Sequence, residues 1–482
     1  MKRKSIKINA VLNSIKTILG VIFPLITFPY ISRVLNIDDI GKYNFSSSIV
    51  SYFILLAGLG ITTYAVREGS KFRDNKEKLD EFVSQVFSIN LIATIISYFL
   101  LFLCIFNIPK LQEYRTIILI LSSEILFTTL GMGWIYNIFE EYVYITIRTI
   151  AFQIISLILI FIFVRISSDL YNYVAIVAFS SSGANVINFF CARKYCKLKL
   201  KFDKATFKHL KPILIIFSTT IAITVYVSSD TTMLGLMTSN YETGLYSVSV
   251  KIYTILKNLL VSILIVLIPS FSILSDCDKG KFEELFAEVL NIMLLIILPI
   301  VVGLFMVSED VIQLIAGSAY VEATTSLKLL SVAIMFSFLA YIYTQCVLIP
   351  FRKESIVLKA TIISAVVNIV LNTILIPFWG INAVSFTTII AELLVFLIGY
   401  KQSKKLVKVS ELYSDLKSVI IGCICIGITC KLVSSIVSIS HIRLIFSIIL
   451  SIIIYVLVLL IYRNSVLVKY IQKLNLKRKH EF

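Results

Sequence analysis

Residues 82–106 read FVSQVFSINLIATIISYFLLFLCIF, a run of apolar and small polar side chains without a charge. About 20 such residues, rising 1.5 Å each, cross the roughly 30 Å hydrocarbon core of a bilayer. The run lacks the period-2 alternation of a barrel strand, and a helix satisfies its own backbone where water is absent. The same pattern extends in both directions. From Ile8 to Tyr462 apolar runs alternate with short polar breaks. The expected spans are 8–32, 43–66, 82–106, 116–138, 143–164, 170–192, 212–236, 244–272, 286–307, 325–350, 355–377, 381–400, 416–437 and 442–462. With 58% hydrophobic residues and a mean hydropathy of +0.93, the chain has more apolar surface than a water-soluble core buries. The fold class is all-α, a polytopic membrane protein of about 14 transmembrane helices.

A net charge of +17 would suggest nucleic acid in a soluble chain. Here it sorts by membrane side, and no nucleic-acid partner is expected. Segments 1–7, 67–81, 139–148, 193–211, 274–284, 351–359, 401–417 and 463–482 hold 34 of the 45 Lys and Arg, against 8 in the alternate breaks. That asymmetry places the N- and C-termini in the cytoplasm. The start, Met1-Lys-Arg-Lys, reads as the flank of an uncleaved first span. The eight cysteines form no Cys-x-x-Cys pair and lie mostly in apolar runs, so they read as small apolar residues.

The longest basic stretch, 193–211, divides the chain. It separates an N-terminal six-helix bundle, 1–192, from a second, 212–400. Two further helices and a basic tail fill 401–482. A faint repeat supports two halves. Gly41-Lys-Tyr43 opens the second span and Gly244-Leu-Tyr246 the eighth, each followed by small polar residues. Recurrence on the same side of the membrane marks a parallel repeat.

Polar side chains inside apolar runs are costly and so face a cavity or a partner. In the first span Asn13 and Lys16 share a face with Asn9 and Gly20. Ser47 and Ser51 align in the second, and Ser247, Lys251, Thr254 and Asn258 in the eighth. These are the candidate substrate-binding residues. Lys251 is the deepest cation, whereas Lys257 and Lys16 can snorkel toward the interface. Glu124, Asp230 and Glu392 are the most isolated carboxyls. They are candidates for coupling to a proton or sodium gradient, with neutral hydrogen-bonded acids or ion-pair partners as the plainer readings. Asn368 and Asn372, one turn apart, suit interhelical hydrogen bonds.

Enzyme chemistry finds little support. The chain has no Walker loop, and no histidine has a nucleophile or metal set beside it. No cofactor or metal is expected. Asp276-Cys-Asp278 matches the Asp-x-Asp of metal-dependent glycosyltransferases, but its loop is about ten residues long. A solvated helix terminus is the simpler reading.

Three stretches resemble bacterial oligosaccharide flippases, the polysaccharide-transport branch of the multidrug/oligosaccharidyl-lipid/polysaccharide exporter superfamily. They are Phe28-Pro-Tyr-Ile-Ser-Arg33 through Gly41-Lys-Tyr43 to Arg67-Glu68, Asp230-Thr-Thr-Met-Leu-Gly235 with Thr243-Gly244-Leu-Tyr246, and Val367-Asn368 through Asn372, Pro377 and Gly380 to Glu392. Asn382 departs from the glycine expected there. The resemblance implies two pseudo-symmetric six-helix bundles in a V, plus two C-terminal helices, around a cationic cavity lined by spans 1, 2, 7 and 8. It further implies a bacterial plasma-membrane flippase for undecaprenyl-pyrophosphate-linked oligosaccharides serving O-antigen or capsule synthesis, working as an ion-coupled antiporter. Its partners would be the lipid-linked oligosaccharide, the lipid bilayer and other polysaccharide-assembly membrane proteins. The alternatives are a peptidoglycan lipid-precursor flippase, a drug exporter and a membrane-embedded polymerase. They would bring, respectively, cavity arginines, a carboxylate-rich N-terminal half and a long catalytic outer loop. The core of spans 1, 2 and 8 has no arginine, and the largest outer loop, 308–324, has only Glu309, Asp310 and Glu322 as charges.

Overall fold

The computed structural model describes residue 20, residues 22–408 and residues 413–468. Its helices are α1 (Ile22–Val34), α2 (Ile37–Gly58), α3 (Ile61–Gly69), α4 (Lys76–Asn107), α5 (Pro109–Gln112), α6 (Arg115–Gly131), α7 (Gly133–Ile138), α8 (Tyr142–Phe163), α9 (Leu170–Ala192) and α10 (Lys204–Lys208). They continue with α11 (Leu210–Met237), α12 (Asn240–Ile265), α13 (Ile268–Cys277), α14 (Lys279–Met306), α15 (Ser308–Ile315), α16 (Thr324–Tyr341), α17 (Glu354–Ser403), α18 (Tyr413–Ile436) and α19 (Ser440–Ile461). No strand occurs among the described residues. Eleven described segments are long and apolar enough to cross a membrane. One of them, the 50-residue α17, would be about 75 Å long if straight. It instead bends after Pro377 at Gly380, whose φ of 50° and ψ of −127° are open to glycine and strained for other residues. It therefore supplies two spans. Adding the 17-residue α6 and the short apolar α1 gives the expected fourteen.

Several spans are broken where an uninterrupted helix was expected. The 43–66 run stops at Leu59–Gly60 and resumes as α3. The 116–138 run breaks at Met132, whose φ is +42°, and the 244–272 run divides into α12 and α13. The Asp-x-Asp fragment proves to be helix-terminal. Asp278 accepts from the Lys281 backbone N–H at 3.1 Å and caps α14, while Asp276 pairs with Arg352 at 3.4 Å. The cap bond holds the Asp278 carboxyl below the usual range.

The chain divides into two compact units, residues 1–247 and 248–482. In the first, α11 packs against α2 and α3. The glycine-x-tyrosine repeat has a direct structural expression there. A Cβ on Gly41 would collide with the Asn240 carbonyl oxygen, and a Cβ on Gly244 with the Ile37 carbonyl oxygen. The two helix openings thus meet backbone to backbone, as small residues allow in membranes. The Tyr114 hydroxyl donates to Asn240 Oδ1 at 2.7 Å beside them. The basic linker lies as a strap along α4. The backbone N–H groups of Lys197, Lys199 and Lys201 donate to Asp80, Ser84 and Ser88, and the Lys201 ammonium reaches Glu81 of the same helix at 3.3 Å.

In the second unit, α18 and α19 pack on α14 and α15. Tyr455 covers Gly422 and donates to the Leu295 carbonyl at 2.8 Å. The Arg443 guanidinium grips Asp310, with Nε 2.9 and 3.0 Å from its two oxygens. Within 248–482 the last two helices are integral packing elements.

Candidate functional site

The expected polar positions fall into three local environments. In the first unit, α2 and α11 share a hydroxyl seam. Thr232 donates to Ser48 at 2.9 Å and lies 3.2 Å from the Tyr52 hydroxyl, and Ser51 reaches Ser228 at 3.3 Å. Ser51 is thus tied into the helix contact, while its neighbour Ser47 is half-buried one turn earlier. Asp230, two residues before Thr232 on α11, is buried and receives the Tyr246 hydroxyl at 3.3 Å. Ser247 is buried and donates to the Gly244 carbonyl at 2.6 Å. Glu124, half-buried on α6, has the Ser181 hydroxyl of α9 as its hydrogen-bonding neighbour.

The second environment is the face of α12 that carries Lys251, Thr254 and Asn258. Lys251 is half-buried, and among the described residues it has no hydrogen bond or ion pair. Thr254 and Asn258, the following members of its stripe, are exposed. Thr254 turns its hydroxyl back to the Val250 carbonyl at 2.7 Å. This face of the helix is polar, carries a positive charge and is not consumed by packing within its own unit.

The third lies on the other side of the same helix. Glu392 is 5% exposed, and one carboxylate oxygen accepts from Lys257 Nζ at 2.9 Å, the Tyr253 hydroxyl at 2.8 Å and the Ser337 hydroxyl at 2.9 Å. Lys257, a residue near enough to the interface to snorkel, is an ion-pair partner here. The pairing spans 135 residues of sequence, so no local spacing signals it. Nearby, Asn372 donates to Asn368 Oδ1 at 3.2 Å, and Asn368 to Thr387 at 3.4 Å, joining the two arms of α17 across its bend. Asn13 and Lys16 lie outside the described residues. No group of three or more His, Cys, Asp or Glu that could hold a metal occurs among the described residues.

The architecture and these sites can be set beside known proteins. The profile of the family described as "Polysaccharide biosynthesis protein" matches residues 6–275, more than half of the chain. The chain belongs to the polysaccharide biosynthesis protein family. Similar relatives include an O-antigen transporter of Escherichia coli (strain K12), 22% identical over 316 residues, covering 64% of this chain and 75% of that one. The capsular polysaccharide biosynthesis protein CapF of Staphylococcus aureus is 25% identical over 372 residues, covering 75% and 90%. Among solved structures, the lipid II flippase MurJ in an inward closed conformation superposes with a TM-score of 0.78 at 18% identity, covering 95% of this chain and all of that one. An inward-facing multidrug resistance MATE transporter gives 0.58 at 12% identity, covering 80% and 98%. This member of the polysaccharide biosynthesis protein family therefore has the polytopic helical fold that MurJ and MATE transporters share.

Proposed function

We propose that the protein is a flippase of the bacterial plasma membrane. It carries undecaprenyl-pyrophosphate-linked oligosaccharide from the cytoplasmic to the outer leaflet for surface polysaccharide synthesis. Membership of the polysaccharide biosynthesis protein family and the transporter fold support the class of activity. The observation that carries the choice of cargo is Lys251. It is a cation on a polar helix face, without a partner among the described residues, and ammonium groups suit phosphate oxygens. Ser247, Thr254 and Asn258 supply neutral polar groups along the same helix, of the kind that bind sugar hydroxyls. Transport proceeds by alternating access, and Glu124, Asp230 or Glu392 carries the proton or sodium ion.

The test is substitution of Lys251 in a strain lacking the native gene. Lys251→Arg should keep appreciable surface polysaccharide. Lys251→Ala and Lys251→Gln should lose most of it and accumulate lipid-linked oligosaccharide, at normal membrane levels of the protein. A well-expressed Lys251→Ala variant with normal surface polysaccharide would remove the main support for this reading.

A further inference from the structure

The first unit contains a cationic site distinct from those above. Arg148 lies in α8, about 9 Å along the helix from its first residue. Its Nε and Nη1 are buried without a hydrogen-bond partner, and its guanidinium sits 5.6 Å from the centre of the Tyr144 ring. Ionised side chains removed from water need a counter-charge or hydrogen bonds. No Asp or Glu lines the cavities that Arg148 faces. Glu124 reaches Ser181 in the wall of one cavity without lining it.

Two cavities share Arg148 as a wall, one of about 220 Å³ and one of about 300 Å³. The smaller is also lined by Trp134, Asn137 and Asn185. Trp134 is 3% exposed, and its indole N–H has no partner. Indole and guanidinium nitrogens donate hydrogen bonds and cannot accept them. The larger cavity is lined by Gln153 and Ser156, and the fully buried Ser156 hydroxyl is also unpartnered. The unsatisfied N–H groups around the smaller cavity thus call for an acceptor carrying negative charge. At about 30 Å³ per water, the space holds a small ion with a few waters, and it lies below the ~300–1,000 Å³ of pockets for larger ligands.

The geometry points to a binding site for a small inorganic anion inside the first unit, with Arg148 and Trp134 as its principal donors. The anion neutralises a guanidinium within the helix bundle and satisfies the indole N–H beside it. This site is independent of the Lys251 face and of the identity of the transported lipid.

The chain's two tryptophans make the site measurable. Trp379→Phe leaves Trp134 as the only indole, and iodide then serves as both ligand and quencher in the purified full-length protein. Quenching should saturate with iodide and be reversed by chloride or inorganic phosphate, but not by gluconate. Stronger reversal by chloride assigns a halide-sized ligand, and stronger reversal by phosphate an oxyanion. In the Trp379→Phe background, Arg148→Gln should weaken iodide binding by about tenfold or more, with Arg148→Lys in between. Quenching that rises linearly with iodide and ignores both competitors overturns the site. The competition in Trp379→Phe alone decides the matter if Arg148→Gln fails to fold.

Discussion

Glu392 ties three helices, α12, α16 and α17, together through one buried carboxylate. Three donors converge on a single oxygen, one of them the Lys257 ammonium. Removing one member of a buried ion pair costs about 3–5 kcal/mol. That is an upper bound here, because the Lys257 side chain keeps 30% exposure. Glu392→Gln should therefore lower the melting temperature, and the double variant Lys257→Met with Glu392→Leu should recover much of the loss. If Glu392 also carries the coupling ion, the double variant will be stable and inactive in flipping; a stable, active one assigns Glu392 to packing alone. His209 gives a second residue-scale test. Its Nδ1 lies 2.6 Å from the Tyr64 hydroxyl and its Nε2 2.9 Å from Gln85 Oε1. Burial lowers its pKa below the ordinary value. The unfolded chain then takes up a proton near pH 6.5 before the folded one does, so stability falls as pH drops from about 6.5 toward the folded value. Thermal melts between pH 7.5 and 5 should show this loss, and His209→Gln should reduce it. Equal pH slopes in the two proteins would refute the assignment.

Helix positions were legible in the sequence because run length and absence of charge are local properties that a bilayer selects directly. Helix interruptions were not. Met132 adopts a left-handed φ of +42° between Gly131 and Gly133, but glycine is frequent inside membrane helices and does not by itself announce a break. The Gly41 and Gly244 repeat lies between these cases. Its recurrence was visible, but its meaning, a close crossing of α2 with the start of α12, needed coordinates. Gly41→Val or Gly244→Val would drive a side chain into the facing backbone, which cannot yield as a rotamer can. Overpacking of this kind costs about 1–3 kcal/mol or more. Either variant should reduce the folded yield, measured by size-exclusion profile and melting temperature. Gly303→Ala is the control. A Cβ at Gly303 meets nothing within 4 Å, and alanine is favoured over glycine by up to ~1 kcal/mol inside a helix. Tolerance of valine at both crossing glycines would mean that α2 and α12 do not approach as described.

For the whole molecule, the sequence displayed the class and the candidate polar stripes but not their partners. Lys251 and Lys257 sit six positions apart on one helix, yet one lacks a partner among the described residues while the other is paired. Arg148 counted in the sequence as one more basic residue near a break, although it lines two cavities whose other walls come from distant stretches of the chain. The orientation of the chain is a separate matter that only charge addresses. Lysine and arginine retained on the cytoplasmic side would put the 193–211 strap inside the cell and the Ser308–Ile315 helix with its following turn outside. Lys199 and Ser318 are exposed reporters for the two sides. In a background with the eight native cysteines replaced, a membrane-impermeant maleimide applied to intact cells should label Ser318→Cys. Lys199→Cys should react only after the membrane is opened. Labelling of Lys199→Cys from outside would invert the molecule. The basic strap along α4 would then face away from the anionic cytoplasmic leaflet, and the proposed direction of lipid transport would need to be reassigned.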